Sequence, residues 1–190
     1  MTTMTDPLVH DHDSGSPWTI DDLKDFPDDA GHRYEIFDGS LLVTPHADVF
    51  HGGVANLLNR LLTRQAPDDR IVGQSVGVSR KRTSYFVPDL FVVPKAAFDK
   101  GGDALDPADI LLVCEVLSPS NARQDLVLKR DEYAIAGIPL YWILDPNKRT
   151  LTVLELAADG RYREAAVVEP GRVWRTDKPF PLAFDLGEIF

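Results

Sequence analysis

The sequence predicts an α/β domain in which helices flank one mixed β-sheet and a β-hairpin lies near the N-terminus. Three observations support this fold class. Asp38-Gly39 separates two strand-like runs and supplies the positive φ angles of a two-residue turn. Apolar residues within 54–62 recur with the period of a helix. Residues 110–117 form a run that is apolar apart from Glu115 and shows no polar alternation, which is typical of a strand buried on both faces.

Length and composition favour one globular domain. The chain has 190 residues, of which 44% are hydrophobic and 26% charged, and this is enough to bury a sizeable core. Residues 1–17 mix Asp, Ser, Gly and Pro without periodicity, so they are expected to form a disordered tail. The "HDHD" stretch at 10–13 is interpreted as part of that solvated tail, because no scaffold would fix a metal there. A single domain is expected over residues 18–190.

The net charge of −10 argues only weakly against a nucleic-acid partner. Residues 1–30 hold eight acidic side chains against Lys24 alone, a net −7, so the rest of the chain is nearly balanced. The single cysteine, Cys114, cannot form an internal disulfide, which suits a reducing compartment. No early segment resembles a signal peptide and no run is long enough to span a membrane. A cytoplasmic protein without a membrane partner is expected.

The first elements are a short helix, the hairpin and a longer helix. "TIDDLKDF" predicts a short helix capped by Thr19, and "YEIFDGSLLVTP" predicts the hairpin. His51 lies one turn before the apolar face of the longer helix and is expected to point inward. That face comprises Val54, Leu57, Leu58, Leu61 and Leu62.

The second half of the chain alternates between strands and one helix. "SPSN" ends the strand at 110–117 and offers Ser120 or Asn121 as a helix cap. The helix is expected from about residue 123 to 136, with Gly137 as its C-terminal stop. Strands are predicted around "RIVGQSVGVS", "YFVPDLFVVP", "PLYWILD", "RTLTVLEL" and "YREAAVVE".

Two carboxylates interrupt apolar runs. Glu115 lies inside "ILLVCEVL", and Asp89 lies inside "YFVPDLFVVP". An ionised group buried there is costly unless it is paired or bound to a metal, and two such groups in adjacent strands would repel each other. A divalent cation between them would remove the conflict. The alternative is two separate residues at strand ends, each satisfied by backbone donors.

A lysine on the following helix offers Glu115 a partner. Asp125, Lys129 and Tyr133 occur at steps of four and therefore share one face of the helix. Glu115, on the strand that leads into this helix, is the nearest candidate partner for Lys129. The alternative is a surface lysine that forms an ordinary ion pair with Asp125.

The order of these motifs resembles the Uma family of bacterial endonuclease-like proteins, within the PD-(D/E)xK or restriction-endonuclease-like superfamily. The resemblance covers residues 34–162 and rests on "PDL", "CEVLSPSN" and "GIPLYWILD". It implies a central mixed sheet flanked by helices and a metal-dependent nuclease. Carried over, Asp89 and Glu115 hold Mg²⁺ or Mn²⁺ with the carbonyl of Val116, and Lys129 orients or deprotonates the attacking water.

The chain departs from the superfamily pattern at two positions. The strand lysine expected two residues after the glutamate is Leu117, and the resemblance implies that Lys129 replaces it. Leu140 stands where the family often has an acidic residue. Four further positions form a second group of candidates: Glu35 as an extra metal ligand, His51 as either a core or a catalytic histidine, and the helix residues Asp125 and Tyr133.

DNA is the expected substrate, and a homodimer is expected by analogy with restriction-type nucleases. The candidate phosphate contacts are Arg80, Lys81, Arg82, Arg123 and Arg130. The competing interpretation is a binding or regulatory module that keeps the fold but cuts nothing, and Leu117 favours it. A serine hydrolase is excluded by the lack of a G-x-S-x-G elbow, and a nucleotide-binding protein by the lack of a Gly-rich phosphate loop.

Overall fold

The computed structural model describes residues 15–26, 31–45, 48–118 and 124–190, with the backbone alone for residues 124–126. The strands are β1 His32–Phe37, β2 Ser40–Pro45, β3 Arg70–Gly73, β4 Val78–Lys81, β5 Ser84–Phe86, β6 Leu90–Pro94, β7 Leu112–Val116, β8 Leu140–Asp145, β9 Thr150–Leu156, β10 Tyr162–Val168, β11 Val173–Thr176 and β12 Leu182–Asp185. The α-helices are α1 Val49–Thr63, α2 Lys95–Phe98 and α3 Arg130–Ile135. No helix in these ranges is long and apolar enough to cross a membrane.

The chain divides into two compact units. The N-terminal unit comprises Met1–His46 and Lys81–Tyr85, and the main unit comprises Ala47–Arg80 and Phe86–Phe190. The expectation of one domain over residues 18–190 stays a prediction. The expected tail falls mostly outside the described residues, which begin at residue 15.

The predicted hairpin is confirmed in the N-terminal unit. Strands β1 and β2 pair antiparallel from Phe37 opposite Ser40, and Ile36 of β1 pairs with Tyr85 of β5. Asp38 and Gly39 both have positive φ, 46° and 81°, which is the two-residue turn that their sequence indicates.

The main unit is built on a mixed sheet, as expected. Its strand order is β10-β9-β8-β7-β6-β3. Strands β7 and β8 run parallel, with Glu115 beside Ile143, whereas the other neighbours pair antiparallel. A parallel pair needs a crossover connection, and here the chain between Val116 and Leu140 supplies it with α3. The run "YFVPDLFVVP" is split into β5 and β6 because Pro88 cannot donate to a strand ladder.

The helix α1 covers one face of this sheet. Asp48 caps it by accepting the backbone N–H of His51 at 2.8 Å. Leu57 was expected on the inner face, but it is 38% exposed. The buried face is centred near Leu58, and Leu57 lies about 100° from it around the helix axis. The shared core of α1 and β6–β9 includes Val54, Ala55, Leu58, Leu61, Leu62, Leu90, Val92, Leu112, Cys114, Val116, Leu140, Trp142 and Leu144.

The helix expected over residues 123–136 has two parts. It is π-helical over Gln124–Lys129 and α-helical in α3, while Ser120, Asn121 and Arg123 lie outside the described residues. Gly137 ends it as expected, with φ 78°. Its N–H donates to Ala134 and that of Ile138 donates to Tyr133, which is a Schellman motif.

Two elements differ from the sequence-based expectation. The short N-terminal helix is a 3-10 helix over Asp22–Asp25, and Thr19 does not cap it. Instead, Asp22 Oδ2 accepts both the N–H and the hydroxyl of Thr19 at 2.7 Å, because a carboxylate is the stronger acceptor. The β11–β12 pair was not expected. Its Trp174 packs edge-on against Trp142 of the core, with the ring centroids 5.7 Å apart.

Candidate active site

The two carboxylates meet where β6 begins and β7 ends. Leu90 pairs with Cys114 in the antiparallel register of these strands. Asp89 directly precedes Leu90, and Glu115 directly follows Cys114. Both residues are buried, with 4% and 0% of their surface exposed. The two carboxylates therefore occupy one end of the same strand pair.

Glu115 projects from the face of β7 opposite to α1, because its neighbours Cys114 and Val116 belong to the α1 core. There its Oε1 accepts two hydrogen bonds from the crossover helix. Lys129 Nζ lies at 3.1 Å and Tyr133 OH at 2.8 Å. The contact that the helix periodicity predicts between Lys129 and Glu115 is thus confirmed.

Packing holds these donors in place. Lys129 is 2% exposed, so its aliphatic stem is enclosed and its ammonium reaches inward to Glu115. The ring of Tyr133 packs edge-on against Phe86 and Tyr141, with centroid separations of 6.1 and 5.4 Å. A buried carboxylate next to a buried ammonium is tolerated because each charge offsets the desolvation cost of the other.

Asp89 and His51 form a second cluster around the end of β7. Asp89 Oδ2 accepts the backbone N–H of Val116 at 2.8 Å. His51 Nε2 lies 3.1 Å from the same Oδ2 and 2.7 Å from the carbonyl oxygen of Val116. A carbonyl oxygen only accepts, so Nε2 bears a hydrogen and donates it. The inward orientation expected for His51 is confirmed.

The donor set at this end of the sheet fits a hard divalent cation. Asp89, Glu115 and the carbonyl of Val116 offer the oxygen ligands that Mg²⁺ and Mn²⁺ prefer. Among the described residues, no three His, Cys, Asp or Glu side chains form a group that could hold a metal.

Other candidates are placed as follows. Leu117 donates its backbone N–H to Leu144 at 2.8 Å and offers no charged group. Leu140 is buried in the apolar core. Glu35 is a buried residue of β1 in the N-terminal unit. The side chain of Asp125 lies outside the described part of the chain.

The basic stretch "RKR" is largely neutralised by neighbouring acids. Lys81 Nζ lies 2.6 Å from Asp38 Oδ1, and Arg82 pairs with Asp21. Arg80 is exposed. Two of these three cations therefore contact carboxylates, and the role of the stretch as a set of phosphate contacts stays a prediction.

A groove beside α3 contains the candidate Arg130 together with two cations that sequence analysis missed, Arg161 and Arg163. It has a volume of about 640 Å³ and is lined by Arg130, Arg161 and Arg163, together with Asp131 and the apolar side chains of Val127 and Ile135. Arg130 donates to the carbonyl of Tyr162 at 3.2 Å, and Arg163 pairs with Asp159 at 2.7 Å. The alternation "RYR" on β10, an edge strand, is the signal that could have indicated this groove.

The fold, together with the arrangement of Asp89, Glu115 and Lys129, indicates the class of protein. Acidic side chains at the ends of adjacent strands in a mixed sheet, with a lysine supplied by the crossover helix, place the protein in the restriction-endonuclease-like fold. A family model, Uma2, described as "Putative restriction endonuclease", matches residues 20–187. The chain belongs to this Uma2 family.

A solved structure supports the fold. The chain is similar to a protein from Anabaena variabilis described as a putative nuclease belonging to DUF820, with a TM-score of 0.67 and 17% sequence identity. The match covers 92% of this chain and 98% of that one. No curated protein matches the sequence.

Proposed function

We propose that this protein is a nuclease that hydrolyses phosphodiester bonds of DNA with Mg²⁺ or Mn²⁺ as its cofactor. The observation that supports this most directly is the pair of donors, Lys129 and Tyr133, on one oxygen of the buried Glu115. Asp89 Oδ2 accepts the backbone N–H of Val116, the residue that follows Glu115. The family and the fold favour the same activity.

Asp89, Glu115 and the Val116 carbonyl would hold the ion. The chemistry supplied by a bound ion is activation of a water molecule and neutralisation of charge on the phosphate. Lys129 supplies a fixed positive charge in a site from which water is largely excluded, where it stabilises negative charge developing on the phosphate. Tyr133 holds Glu115 in one orientation, so that Lys129 and the carboxylate keep a constant relation.

The DNA backbone is proposed to lie along the groove that contains Arg130, Arg161 and Arg163. The groove is formed in part by Arg130, which follows Lys129 in the sequence. Arginine contacts to phosphates give affinity without sequence preference. Two copies of the chain would allow both strands to be cut, so a homodimer is part of the proposal.

A second candidate function is a nuclease-like module that binds but does not cut. Leu117 favours it, because the strand lysine of the superfamily pattern is absent. The contact between Lys129 and Glu115 is compatible with it, since a buried ion pair can serve structure alone.

Two variants distinguish these functions. Lys129→Ala should reduce metal-dependent cleavage of plasmid and single-stranded DNA by at least about 100-fold without weakening Mn²⁺ binding, because it removes a positive charge beside Glu115 and no ligand. Asp89→Asn should weaken Mn²⁺ binding, and excess metal should partly restore its cleavage, because it removes charge from a metal ligand. Calorimetric Mn²⁺ titration and cleavage assays over a range of Mg²⁺ and Mn²⁺ concentrations measure both effects.

The controls concern folding and surface charge. Circular dichroism at the assay temperature reports whether each variant is folded, and Lys129→Gln provides a second variant closer in length to lysine. Lys148→Ala removes an exposed lysine and should cleave like the wild type. Unchanged cleavage in Lys129→Ala would remove its assigned role. A wild-type protein that cuts no DNA with any metal would favour the binding module.

A further inference from the structure

We infer that His51 is a positioning residue of the metal site, which sets the geometry of two ligands that come from different strands. The inference rests on the proposed function, because it assigns Asp89 and Val116 as ligands. The role inferred for His51 is nevertheless distinct from that function. His51 lies on α1 and is not one of the acidic and lysine residues of the superfamily pattern, yet it determines how tightly the site binds metal.

The contacts of His51 form a closed triangle. Its Nε2 lies 3.1 Å from Asp89 Oδ2 and 2.7 Å from the carbonyl oxygen of Val116. The third side is the hydrogen bond from the Val116 N–H to the same Asp89 oxygen, at 2.8 Å. One imidazole N–H therefore spans a side-chain ligand before β6 and a main-chain ligand at the end of β7.

This triangle fixes the orientation of both ligands. The Val116 N–H donates to Asp89 Oδ2 and His51 Nε2 lies 3.1 Å from the same oxygen, so the carboxylate can rotate only by losing both contacts. The Val116 N–H and C=O belong to the two peptide groups that follow Glu115. Their contacts with Asp89 and His51 therefore also fix the direction in which the strand leaves Glu115.

The helix holds His51 rigidly enough for this role. Asp48 accepts its backbone N–H at 2.8 Å, which anchors the first turn of α1. Val54 and Leu58 then pack this helix onto the α1 face of the sheet. His51 is 5% exposed, so little water competes for its N–H.

The chemistry of the side chain suits a position next to a cation. Lysine or arginine could also donate to both oxygens, but either would place a fixed positive charge where a divalent ion must bind. Histidine can donate the same hydrogen bond as a neutral group. Hydrogen bonds from surrounding residues to metal ligands typically alter metal affinity by about 10- to 100-fold when removed.

The test measures Mn²⁺ affinity of the full chain by calorimetry and electron paramagnetic resonance, without nucleic acid. His51→Ala should bind Mn²⁺ about 10- to 100-fold more weakly than the wild type. His51→Gln should recover most of the affinity, because its amide N–H reaches about as far as Nε2. His51→Asn should recover little, because its amide is shorter by one methylene.

Leu58→Ala is the matched control for loss of stability. Leu58 lies on the same helix, is fully buried and contacts the core rather than the ligands, so this variant should lose stability but keep its Mn²⁺ affinity. If His51→Ala does not fold, the comparison of His51→Gln with His51→Asn takes its place, and equal affinity in these two variants overturns the inference.

The outcomes separate this inference from the proposed function. A wild type that binds no Mn²⁺ overturns both. A wild type that binds Mn²⁺, together with unchanged or tighter binding in His51→Ala, overturns only the role of His51. Equal loss of affinity in His51→Ala and Leu58→Ala also overturns it, since a general loss of stability would then explain the effect.

Discussion

At the scale of single residues, Lys129 is a buried charge that needs a partner of opposite charge. A lysine that is 2% exposed has lost nearly all its hydration, and its charge is compensated by Glu115, which is fully buried. Removing one partner leaves the other as an uncompensated charge in a dry site, which is far more costly than removing both. The pair therefore ties the stability of the fold to the residues proposed to act on DNA.

Lys129→Met tests this coupling. It keeps the aliphatic stem but leaves Glu115 without the ammonium, so it should lower the free energy of unfolding by about 3–5 kcal/mol. Adding Glu115→Gln removes the remaining charge and should recover most of this loss. Urea unfolding followed by circular dichroism measures both variants.

Lys178→Met is the matched control. Lys178 Nζ lies 2.7 Å from Glu155 Oε2, but both side chains are exposed, so its loss should cost at most about 1 kcal/mol. Equal effects of Lys129→Met and Lys178→Met would show that burial of the Lys129–Glu115 pair has no energetic consequence.

At the scale of elements, the glycine that ends α3 determines where β8 begins. Gly137 has φ 78° and donates to Ala134, and this turns the chain from the crossover helix into the strand parallel to β7. That turn fixes the length of α3 and hence the position from which Lys129 and Tyr133 reach Glu115.

The same substitution at two glycines should have opposite effects. Gly137→Ala places a Cβ at positive φ and should destabilise the protein by about 1 kcal/mol. Gly53→Ala lies inside α1, where an added Cβ meets no atom within 4 Å, and it should stabilise the protein by about 0.5–1 kcal/mol. Thermal unfolding of both variants measures the difference. Stabilisation by Gly137→Ala would contradict the claim that the positive φ at residue 137 requires glycine to end the helix.

The last turn of the chain contains a carboxylate with an altered pKa. Hydrogen bonds from the backbone N–H groups of Gly187 and Gly171 lower the pKa of Asp185 below its ordinary value. The Asp185 side chain also caps the 3-10 helix Leu186–Ile189, with Glu188 completing the capping box.

The pH dependence follows from the direction of this shift. Because the folded pKa is the lower one, the ionised Asp185 contributes stability above the unfolded value of about 3.9, and this contribution is lost as the pH falls through the folded pKa. Asp185→Asn keeps an acceptor but loses the charge. Its melting temperature should therefore lie below that of the wild type at pH 7, with the gap closing below about pH 3.9. A gap that persists at lower pH would contradict this explanation.

At the scale of the whole molecule, the net charge argues against DNA binding, whereas the local charge beside α3 favours it. The chain has a net charge of −10, yet three arginines line one groove beside α3. Association with DNA depends on the field near the contact more than on the sum over the chain, and residues 1–30 contribute −7 of the net −10.

Salt dependence measures the contribution of this groove. Arg161→Ala/Arg163→Ala should weaken binding to duplex DNA and reduce the slope of log K against log salt by about 2, since each phosphate contact contributes roughly 0.9. Fluorescence anisotropy in EDTA, which prevents cleavage, gives both quantities. The exposed pair Arg172→Ala/Arg175→Ala lies outside the groove lining and should leave the slope unchanged. Equal slopes for the two double variants would place the DNA elsewhere.

Several features of the structure can be predicted from the sequence alone, because they depend on local signals. The Asp38-Gly39 turn, the inward face of α1 around Leu58, the buried strand containing Glu115 and the stop at Gly137 all follow from residue type and spacing within a few positions. The contact between Lys129 and Glu115 was predictable as well, because helical periodicity and the partner that a buried charge requires both point to it.

Other features could not be predicted from the sequence, because they depend on contacts between residues that are distant in it. His51 bridges Asp89 and Val116 across two strands, and no local pattern specifies which oxygens an inward histidine will meet. Lys81 is engaged by an aspartate 43 positions away, a partner that the basic stretch itself does not reveal. The strands β11 and β12 are short and gain their stability from packing on Trp142, a long-range contact that periodicity cannot reveal.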